Sequence, residues 1–526
     1  MIKKLFLYLA TAGFLAGCTD LNVDVKSELT PDNFPVTEEQ FVTASGSIYT
    51  SFASGYGTNY WNQTELSTDA AVLTANGGNW FDGGRYMELH YHSWTKNSDI
   101  PRSTWSWLYR TVNTCNNVYE LLMKAPESEA RNTSIAELRV MRALCYYLLI
   151  DNFGDVPLVK VFGDAVKTRN PRKEVFEYIE SETLESLRYL KPENDISVYG
   201  RPNQMTAYAL LAKLYLNAGV YTGQAMNDKA LEMCDKVIEF EDGGAVGLHA
   251  DYIKMFDYDN GPHIKEFIFA IPYDENNLSG FIPSRYWYSI YHPYFWGLSF
   301  TTSSCTRVLP QYYDLFAEDT DDIREKTWLK EKQYLKNGEP MIYPATKVQI
   351  DNRYTGPDKD ETVLFHITHT KELEFRSIPN FDMGDDLIGR LAGYRSNKYN
   401  PSTTQLSRDQ SNDLPVFRYA DILLMKAEAI LRGATPTKGH TALSLVNRVR
   451  ERSHAAKWSG VDMDKLLEER AREMCYECWR RNDLIRFDKF EDSWLLKTDT
   501  DKNHRLFPVP QSEIDSNKQL TQNPGY

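Results

Sequence analysis

Adjacent carboxylates are the first candidates for chemistry in this chain. Hydrolysis of a glycosidic bond needs two carboxyl groups that face each other across that bond, and adjacency along a chain does not supply this relation. Carboxylates are mostly solvated in folded proteins, so we predict that these pairs are surface acids. The three pairs are Asp321-Asp322, Asp385-Asp386 and Glu468-Glu469.

Cysteine and histidine pairs are the second candidates. Cys475 and Cys478 form a CxxC within REMCYECWRRNDLIRF, but no second CxxC or spaced histidine pair accompanies it, as a zinc site requires. We predict half-buried thiols on a helix instead. His90 and His92 would point the same way on a strand, yet no third ligand is evident. GxSxG, HExxH and GxxxxGK[ST] motifs are absent, so no catalytic residue, metal or cofactor is expected.

The segment GGNWFDGGRY, from Gly77 to Tyr86, places Trp80 and Phe81 between two glycine pairs. Glycine loses much backbone freedom on ordering, so such a run is typical of a loop. A second aromatic run, PSRYWYSIYHPYFWGLSF, covers residues 283–300 and fits neither a period of 2 nor one of 3.6. Aromatic side chains on loops have an apolar face that water or a ligand can reach.

Helices must position these loops. Apolar residues recur three or four positions apart in a helix after Ser103, in a second near residues 138–153, and from Val175 to Leu190. Two more helices, TAYALLAKLYLNAG and DKALEMCDKVIEF, follow, and the pair FRYADILLMKAEAILRG and TALSLVNRVRER returns near the C-terminus. They loosely match tetratricopeptide units. Unrelated antiparallel helix pairs would give much the same architecture.

Residues 241–413 have a different character, with many Pro, Gly, Asn and Asp residues and only short strand-like runs such as EFIFAIPY and TVLFHITH. Long ordered loops in a compact protein usually carry function. The predicted fold class is therefore mostly α, with irregular tetratricopeptide-like helix pairs as a scaffold for a loop-rich, aromatic binding region.

The formal net charge is −14 and the pI about 5.3, which disfavours nucleic acid as a partner. The N-terminus, MIKKLFLYLATAGFLAGC, has the basic, apolar and small-residue regions of a secretory signal. Leu15-Ala16-Gly17-Cys18 resembles a bacterial lipobox, which predicts a signal peptide over residues 1–17 and lipidation of Cys18.

Several long motifs occur in a fixed order: STDAAV, GGNWFDGGRY, LRVMRALCYYLLIDNFGDVPLV, TAYALLAKLYLNAG, FRYADILLMKAEAILRG, LVNRVRER, LLEERAREMCYECWRRNDLIRF and LFPVPQSEIDSNKQLTQNPGY. Together they closely resemble the SusD/RagB family of Bacteroidetes outer-membrane lipoproteins, over essentially the whole mature chain. CYECW departs from the glycine-containing segment that is common in the family.

The resemblance implies a non-catalytic glycan-binding protein at the cell surface, held in the outer membrane by its lipid. It also implies a SusC-like TonB-dependent transporter as the partner that imports the captured oligosaccharide. A helical N-terminal region is expected over residues 18–240, and a C-terminal region with the binding loops and final helix pairs over residues 241–526.

A pyranose ring has an apolar face that an exposed aromatic ring matches, and a rim of hydroxyl groups that polar side chains match. In relatives the tryptophan of the GGxW motif often lies in the glycan site, and the resemblance carries that role to Trp80. Its expected polar neighbours are Asn79, Asp82 and Arg85. The other expected ligand contacts are Trp287, Tyr291 and Trp296 from the central run, and Asp69 and Arg395.

Three alternatives remain open. One is a peptide- or glycoprotein-binding lid of the same type of transporter, and another is a surface glycosidase with facing carboxylates. The third is a scaffold whose helix pairs bind peptides along a concave groove, as solenoids do. The sequence does not identify the glycan. The net negative charge argues against strongly sulfated or uronic-acid-rich ligands, unless local Arg and Lys residues override it.

Overall fold

The structure is a computed structural model that describes residues 34–166 and 168–526. The predicted signal peptide and Cys18 lie outside the described residues. The N-terminal part is helical, and its helices are α1 Glu38–Gly55, α2 Trp61–Glu65, α3 Arg85–Tyr91, α4 Asp99–Lys124, α5 Glu129–Phe153, α6 Arg172–Ser186, α7 Gln204–Leu216, α8 Ala218–Thr222 and α9 Asn227–Ile238.

Helix α5 is the centre of this part. It packs against α1, α4, α6 and α7, and every residue from Val140 to Phe153 is buried. The sequence VMRALCYYLLIDNF is apolar on most sides, and a helix of that kind is stable only when neighbours cover it all round.

Two predicted helix starts need correction. Helix α4 begins at Asp99, before the predicted Ser103 cap. Pro101 is tolerated there because N–H groups in a first helical turn have no intrahelical acceptor. Helix α6 begins at Arg172, and its predicted end is a 3-10 turn, Leu187–Tyr189.

The chain after residue 240 adds short helices and then a second helical set. These helices are α10 Pro283–Trp287, α11 His292–Trp296, α12 Pro310–Ala317, α13 Lys347–Ile350, α14 Leu387–Leu391, α15 Tyr419–Leu431, α16 Ala442–Arg452, α17 Met463–Glu473, α18 Arg480–Arg486 and α19 Gln511–Ser516. Helix α15 packs on α7 and α9 as well as on α16 and α17. The late helix pair therefore joins the early pairs in one helical layer, and the mostly α fold class is confirmed.

The strands are short and occur in antiparallel pairs. They are β1 Ala71–Leu73, β2 Phe267–Ile271, β3 Thr306–Val308, β4 Trp328–Leu329, β5 Glu331–Lys332, β6 Ile342–Thr346, β7 Thr362–His366, β8 Thr368–His369, β9 Arg395–Ser396 and β10 Leu414–Arg418. The pairs are β1–β3, β2–β10, β4–β9, β5–β8 and β6–β7. The β1–β3 pair matters most for function, since it joins the chain just before the Gly77–Tyr86 loop to the chain just after the central aromatic run.

The CxxC pair is not helical, contrary to the prediction. Helix α17 ends at Glu473 and α18 begins at Arg480, and between them Tyr476 and Cys478 have φ angles of 59° and 68°. Both thiols are free and fully buried, and burial raises the pKa of Cys475 to about 12. Protonated thiols of this kind are structural rather than reactive.

The adjacent acids are not all on the surface either. In each pair the second residue, Asp322, Asp386 or Glu469, is buried while the first is exposed or half-buried. Asp322 and Glu469 are both ion-paired with the buried Arg324, each at 2.7 Å. A buried charge is retained when a partner neutralises it. Glu469 lies 145 residues from Arg324 along the chain, which hides that pairing in the sequence.

Candidate ligand-binding site

The Gly77–Tyr86 loop has an unusual backbone. Gly77, Gly78, Gly83 and Gly84 all have positive φ, as does Trp80 with a φ of 69°. The N–H groups of Gly77 and Gly78 donate to the two carboxylate oxygens of Asp382 at 2.8 and 2.7 Å. The loop is thus tied to the central region, and a non-glycine residue with positive φ is a strained position of the type found at ligand sites.

Trp80 is partly exposed at the surface. Its ring meets Tyr286 edge-to-face, with centroids 5.2 Å apart and an interplanar angle of 75°, and lies 6.5 Å from the Tyr86 ring. The guanidinium of Arg285 lies 5.1 Å from the Trp80 ring centroid. The loop and the first turn of the central run therefore build one aromatic cluster, which we call the Trp80 platform: Trp80, Tyr86, Tyr286 and Arg285.

The expected polar neighbours of Trp80 lie on the same loop. Asn79 and Asp82 are exposed. Arg85 lies over the Tyr86 ring at 5.0 Å and forms an ion pair with Asp99 at 2.9 Å. Asn79 and Asp82 are thus accessible on the loop that carries Trp80, whereas Arg85 is half-buried and engaged by Asp99.

The predicted ligand contact of Trp287 needs correction. Its residue is only 2% exposed, and its ring packs against Trp61 and Tyr476 at 5.7 and 5.2 Å. Pro283, Ser284 and Trp287 form the buried side of the short helix α10, because residues three and four apart share a helix face. Trp287 is a core residue, and its neighbours Arg285 and Tyr286 are the ones that reach the platform.

Tyr291 and Trp296 belong to a second aromatic cluster. Tyr291 is 9% exposed and packs on Tyr343 at 4.9 Å, and burial raises its pKa to about 12. Trp296 is half-buried and packs on His292 at 4.5 Å. The most exposed aromatic of the run is Tyr294, 71% exposed, which the sequence reasoning did not single out.

Asp69 and Arg395 have structural partners. Asp69 accepts two hydrogen bonds from the Arg480 guanidinium, at 2.8 and 2.6 Å. Arg395 is completely buried and donates to backbone carbonyls, among them Ser304 and Ala392 at 3.2 and 3.1 Å. The expectation that Arg395 contacts a ligand is therefore wrong in this conformation, and Asp69 is engaged by Arg480.

Within the described ranges, no group of three or more His, Cys, Asp or Glu side chains is placed to hold a metal ion. His90 and His92 are buried at the end of helix α3 rather than on a strand. Burial lowers their pKa values to about 3 and about 4.

Comparison with known proteins agrees with the motif resemblance. The model of the SusD family matches residues 265–526, and the model described as "Starch-binding associating with outer membrane" matches residues 22–216. Starch-binding protein SusD of Bacteroides thetaiotaomicron is 27% identical over 468 residues, 82% of each chain. SusD-like protein P2 of Formosa agariphila is 26% identical over 97% of each chain.

The chain belongs to the SusD/RagB family. Solved structures of SusD-like proteins share its fold. Surface glycan-binding protein A from Bacteroides thetaiotaomicron, solved with laminarihexaose, superposes with a TM-score of 0.71 at 19% identity, covering 93% of this chain and 100% of that one. Surface glycan-binding protein A from Bacteroides fluxus also gives a TM-score of 0.71, covering 94% of this chain. These identities establish the fold of this SusD-like chain and not its ligand.

Among residues 34–166 and 168–526, no helix combines the length and the apolar character needed to cross a membrane. Association with the outer membrane is part of the description of the matching family model.

Proposed function

We propose that this protein is a non-catalytic glycan-binding lipoprotein of the cell surface, and that the Trp80 platform is its glycan site. The observation that carries this proposal is a partly exposed tryptophan on a strained loop that distant residues hold in place. A preformed aromatic surface loses little conformational entropy when a ligand binds, which favours affinity.

The chemistry of the platform fits a sugar. The Trp80 and Tyr286 rings offer apolar faces for the C–H groups of a pyranose, and the Asn79 amide and the Asp82 carboxylate offer hydrogen-bonding groups for hydroxyls. Arg85 adds donors while it remains paired with Asp99. A mixed surface of this kind binds a sugar without burying an unpaired charge.

The resemblance supports the rest of the role. We propose that Cys18 carries the lipid anchor and that a SusC-like TonB-dependent transporter receives the captured oligosaccharide. We propose no catalysis, since common catalytic motifs are absent from the sequence and Asp322 and Glu469 are occupied by Arg324.

Affinity gel electrophoresis of the lipid-free protein tests this proposal. The gels contain a panel of neutral and acidic polysaccharides, and the variants are Trp80→Ala and Tyr258→Ala. Tyr258 is a matched control because it is exposed, at 44%, and lies outside the platform. Thermal melting of each variant checks its fold.

We expect at least one polymer to retard the wild type and Tyr258→Ala but not Trp80→Ala. Retardation that Trp80→Ala leaves unchanged would place the site elsewhere. No retardation by any polymer would contradict glycan capture and favour a peptide or glycoprotein cargo.

A further inference from the structure

Arg285 is the charged group nearest the Trp80 ring. Its guanidinium lies 5.1 Å from the centroid of Trp80 and 5.7 Å from that of Tyr286, and the side chain is partly exposed. In the part of the chain that the structure describes, its side chain has no carboxylate partner and no hydrogen bond; its contacts are these two rings. Its five N–H donors are therefore available to a ligand.

A second arginine without a carboxylate partner among the described residues, Arg408, is exposed near the same tyrosine. Burial raises the pKa of Tyr286, and the guanidinium groups of Arg285, Arg408 and Arg85 act in the opposite direction. Arginines therefore lie near the platform, and Arg285 is in contact with it, although the protein as a whole carries a net charge of −14.

Most acids near the platform have ion-pair or hydrogen-bond partners. Asp99 is paired with Arg85 and Arg102. The Asp382 carboxylate accepts hydrogen bonds from the backbone N–H groups of Gly77, Gly78 and Gly384. Glu88 accepts a hydrogen bond from Ser98.

Asp385, which is exposed beside Gly77 and accepts a hydrogen bond from the Asn352 amide, has no cation partner among the described residues. Asp82 is a second acid of this kind. It is exposed on the loop that carries Trp80, and its side chain has no hydrogen-bond or ion-pair partner in the described part of the chain. Arg285 is therefore distinguished by its position and not by the net local charge: it contacts the Trp80 ring and has no acid partner among the described residues.

We propose that the ligand of the Trp80 platform is a glycan with anionic substituents, carboxylate or sulfate, and that Arg285 binds that substituent. This inference rests on the proposed glycan-binding function and names its ligand class. A planar guanidinium pairs with a carboxylate or sulfate through two parallel hydrogen bonds. The Trp80 and Tyr286 rings hold it in place beside the surface where the sugar stacks, which reduces the entropy lost on pairing.

The test uses pairs of polymers in which one partner has a single kind of anionic group masked or removed. Polygalacturonic acid is compared with its methyl ester, and chondroitin sulfate with desulfated chondroitin. Affinity gels at about 50 mM and about 500 mM NaCl report the electrostatic contribution, because added salt screens exposed charges. The variants are Arg285→Gln and Arg188→Gln. Arg188 is a matched control, since it is an exposed arginine that lies 4.6 Å from the Tyr189 ring centroid, away from the platform.

We expect stronger retardation by one polymer than by its less charged counterpart, and weaker retardation at high salt. Arg285→Gln is expected to weaken binding of the charged polymer roughly tenfold to a hundredfold, the usual range for a lost hydrogen bond to a charged group. Arg188→Gln is expected to bind like the wild type. Preference within the uronate pair identifies a carboxylate, and preference within the chondroitin pair identifies a sulfate.

Other results would overturn the inference in distinguishable ways. Trp80-dependent binding of neutral polymers alone would leave the proposed function standing and refute the anionic ligand. Preference for a charged polymer that Arg285→Gln leaves unchanged would refute the role of Arg285. Failure to bind any polymer would refute the proposed function, and this inference with it.

Discussion

The Trp80 loop depends on two glycines that differ in their surroundings. Both Gly77 and Gly78 have positive φ, at 61° and 83°. A Cβ at Gly77 would come within 2.6 Å of the Asp385 Cβ, whereas a Cβ at Gly78 would meet nothing within 4 Å. The two positions therefore separate backbone strain from a steric clash.

We predict that Gly77→Ala weakens glycan binding much more than Gly78→Ala. Each substitution costs roughly 1 kcal/mol for a left-handed alanine, but only Gly77→Ala must displace the loop from Asp385. Affinity gels together with melting temperatures separate the two effects. Equal binding by both variants would show that the loop position does not control the site.

Glu65 is a buried carboxyl with an unusual protonation state. Its side chain accepts a hydrogen bond from the Cys478 N–H at 2.7 Å. Burial raises its pKa to about 8, although the Cys478 N–H and the charges of Lys398 and Arg480 act to lower it. Glu65 is therefore protonated at neutral pH in the folded protein.

We predict that Glu65→Gln changes the pH dependence of stability. In the unfolded state Glu65 loses its proton near its ordinary pKa of 4.5, whereas in the folded state it keeps the proton up to about pH 8. The wild type therefore loses stability as the pH rises from about 4.5 to about 8. Between about pH 5 and about pH 8, Glu65→Gln should gain roughly 3 kcal/mol relative to the wild type. Urea unfolding at both pH values measures this, and parallel pH profiles would contradict it.

At the scale of elements, the long helices were predictable because their apolar periodicity extends over many residues. The central aromatic run was not, because it folds as two one-turn helices, α10 and α11. Which side a single turn buries depends on distant partners, here Trp61 and Tyr476 around Trp287. For the same reason, the sequence pattern indicated the Trp80 loop as a candidate site, but it led us to predict Trp287 as a ligand contact instead of its neighbours Arg285 and Tyr286.

The helical layer around α17 contains a buried ionic network. Arg418, at the end of β10, pairs with Glu266, Glu473 and Glu477 at 2.6–2.8 Å, and all these side chains are almost inaccessible. Arg452 of helix α16 also pairs with Glu266 and Glu473. This network links the residue before β2, the end of β10, helix α16 and the segment from Glu473 to Glu477, so its charges are mutually dependent.

We predict that Arg418→Met lowers the free energy of unfolding by roughly 3–5 kcal/mol, because it removes a buried cation that three buried carboxylates share and leaves each of them with fewer partners. The matched control is Lys236→Met, which removes an exposed ion pair with Glu239 at 3.6 Å and should cost less than about 1 kcal/mol. Urea unfolding compares the two. Equal losses would show that the network adds no more than a surface pair.

For the whole molecule, the proposed lipid anchor determines where the platform works. We predict that Cys18→Ser moves the protein from the membrane fraction to the soluble fraction while glycan binding by the purified protein stays unchanged. A lipid with two or more acyl chains gives stable attachment, because each buried CH₂ contributes about 0.8 kcal/mol. Fractionation followed by immunoblotting measures the distribution. Retention of Cys18→Ser in the membrane would contradict anchoring at this cysteine.

Isothermal titration calorimetry tests the central claim most directly. The wild type, Trp80→Ala and Tyr258→Ala are titrated with an oligosaccharide cut from the polymer that retards the wild type. We predict saturable binding to the wild type and to Tyr258→Ala, and an affinity at least about tenfold lower for Trp80→Ala, as expected when a central aromatic contact is lost. Equal affinity for all three proteins would show that the glycan binds away from the Trp80 platform.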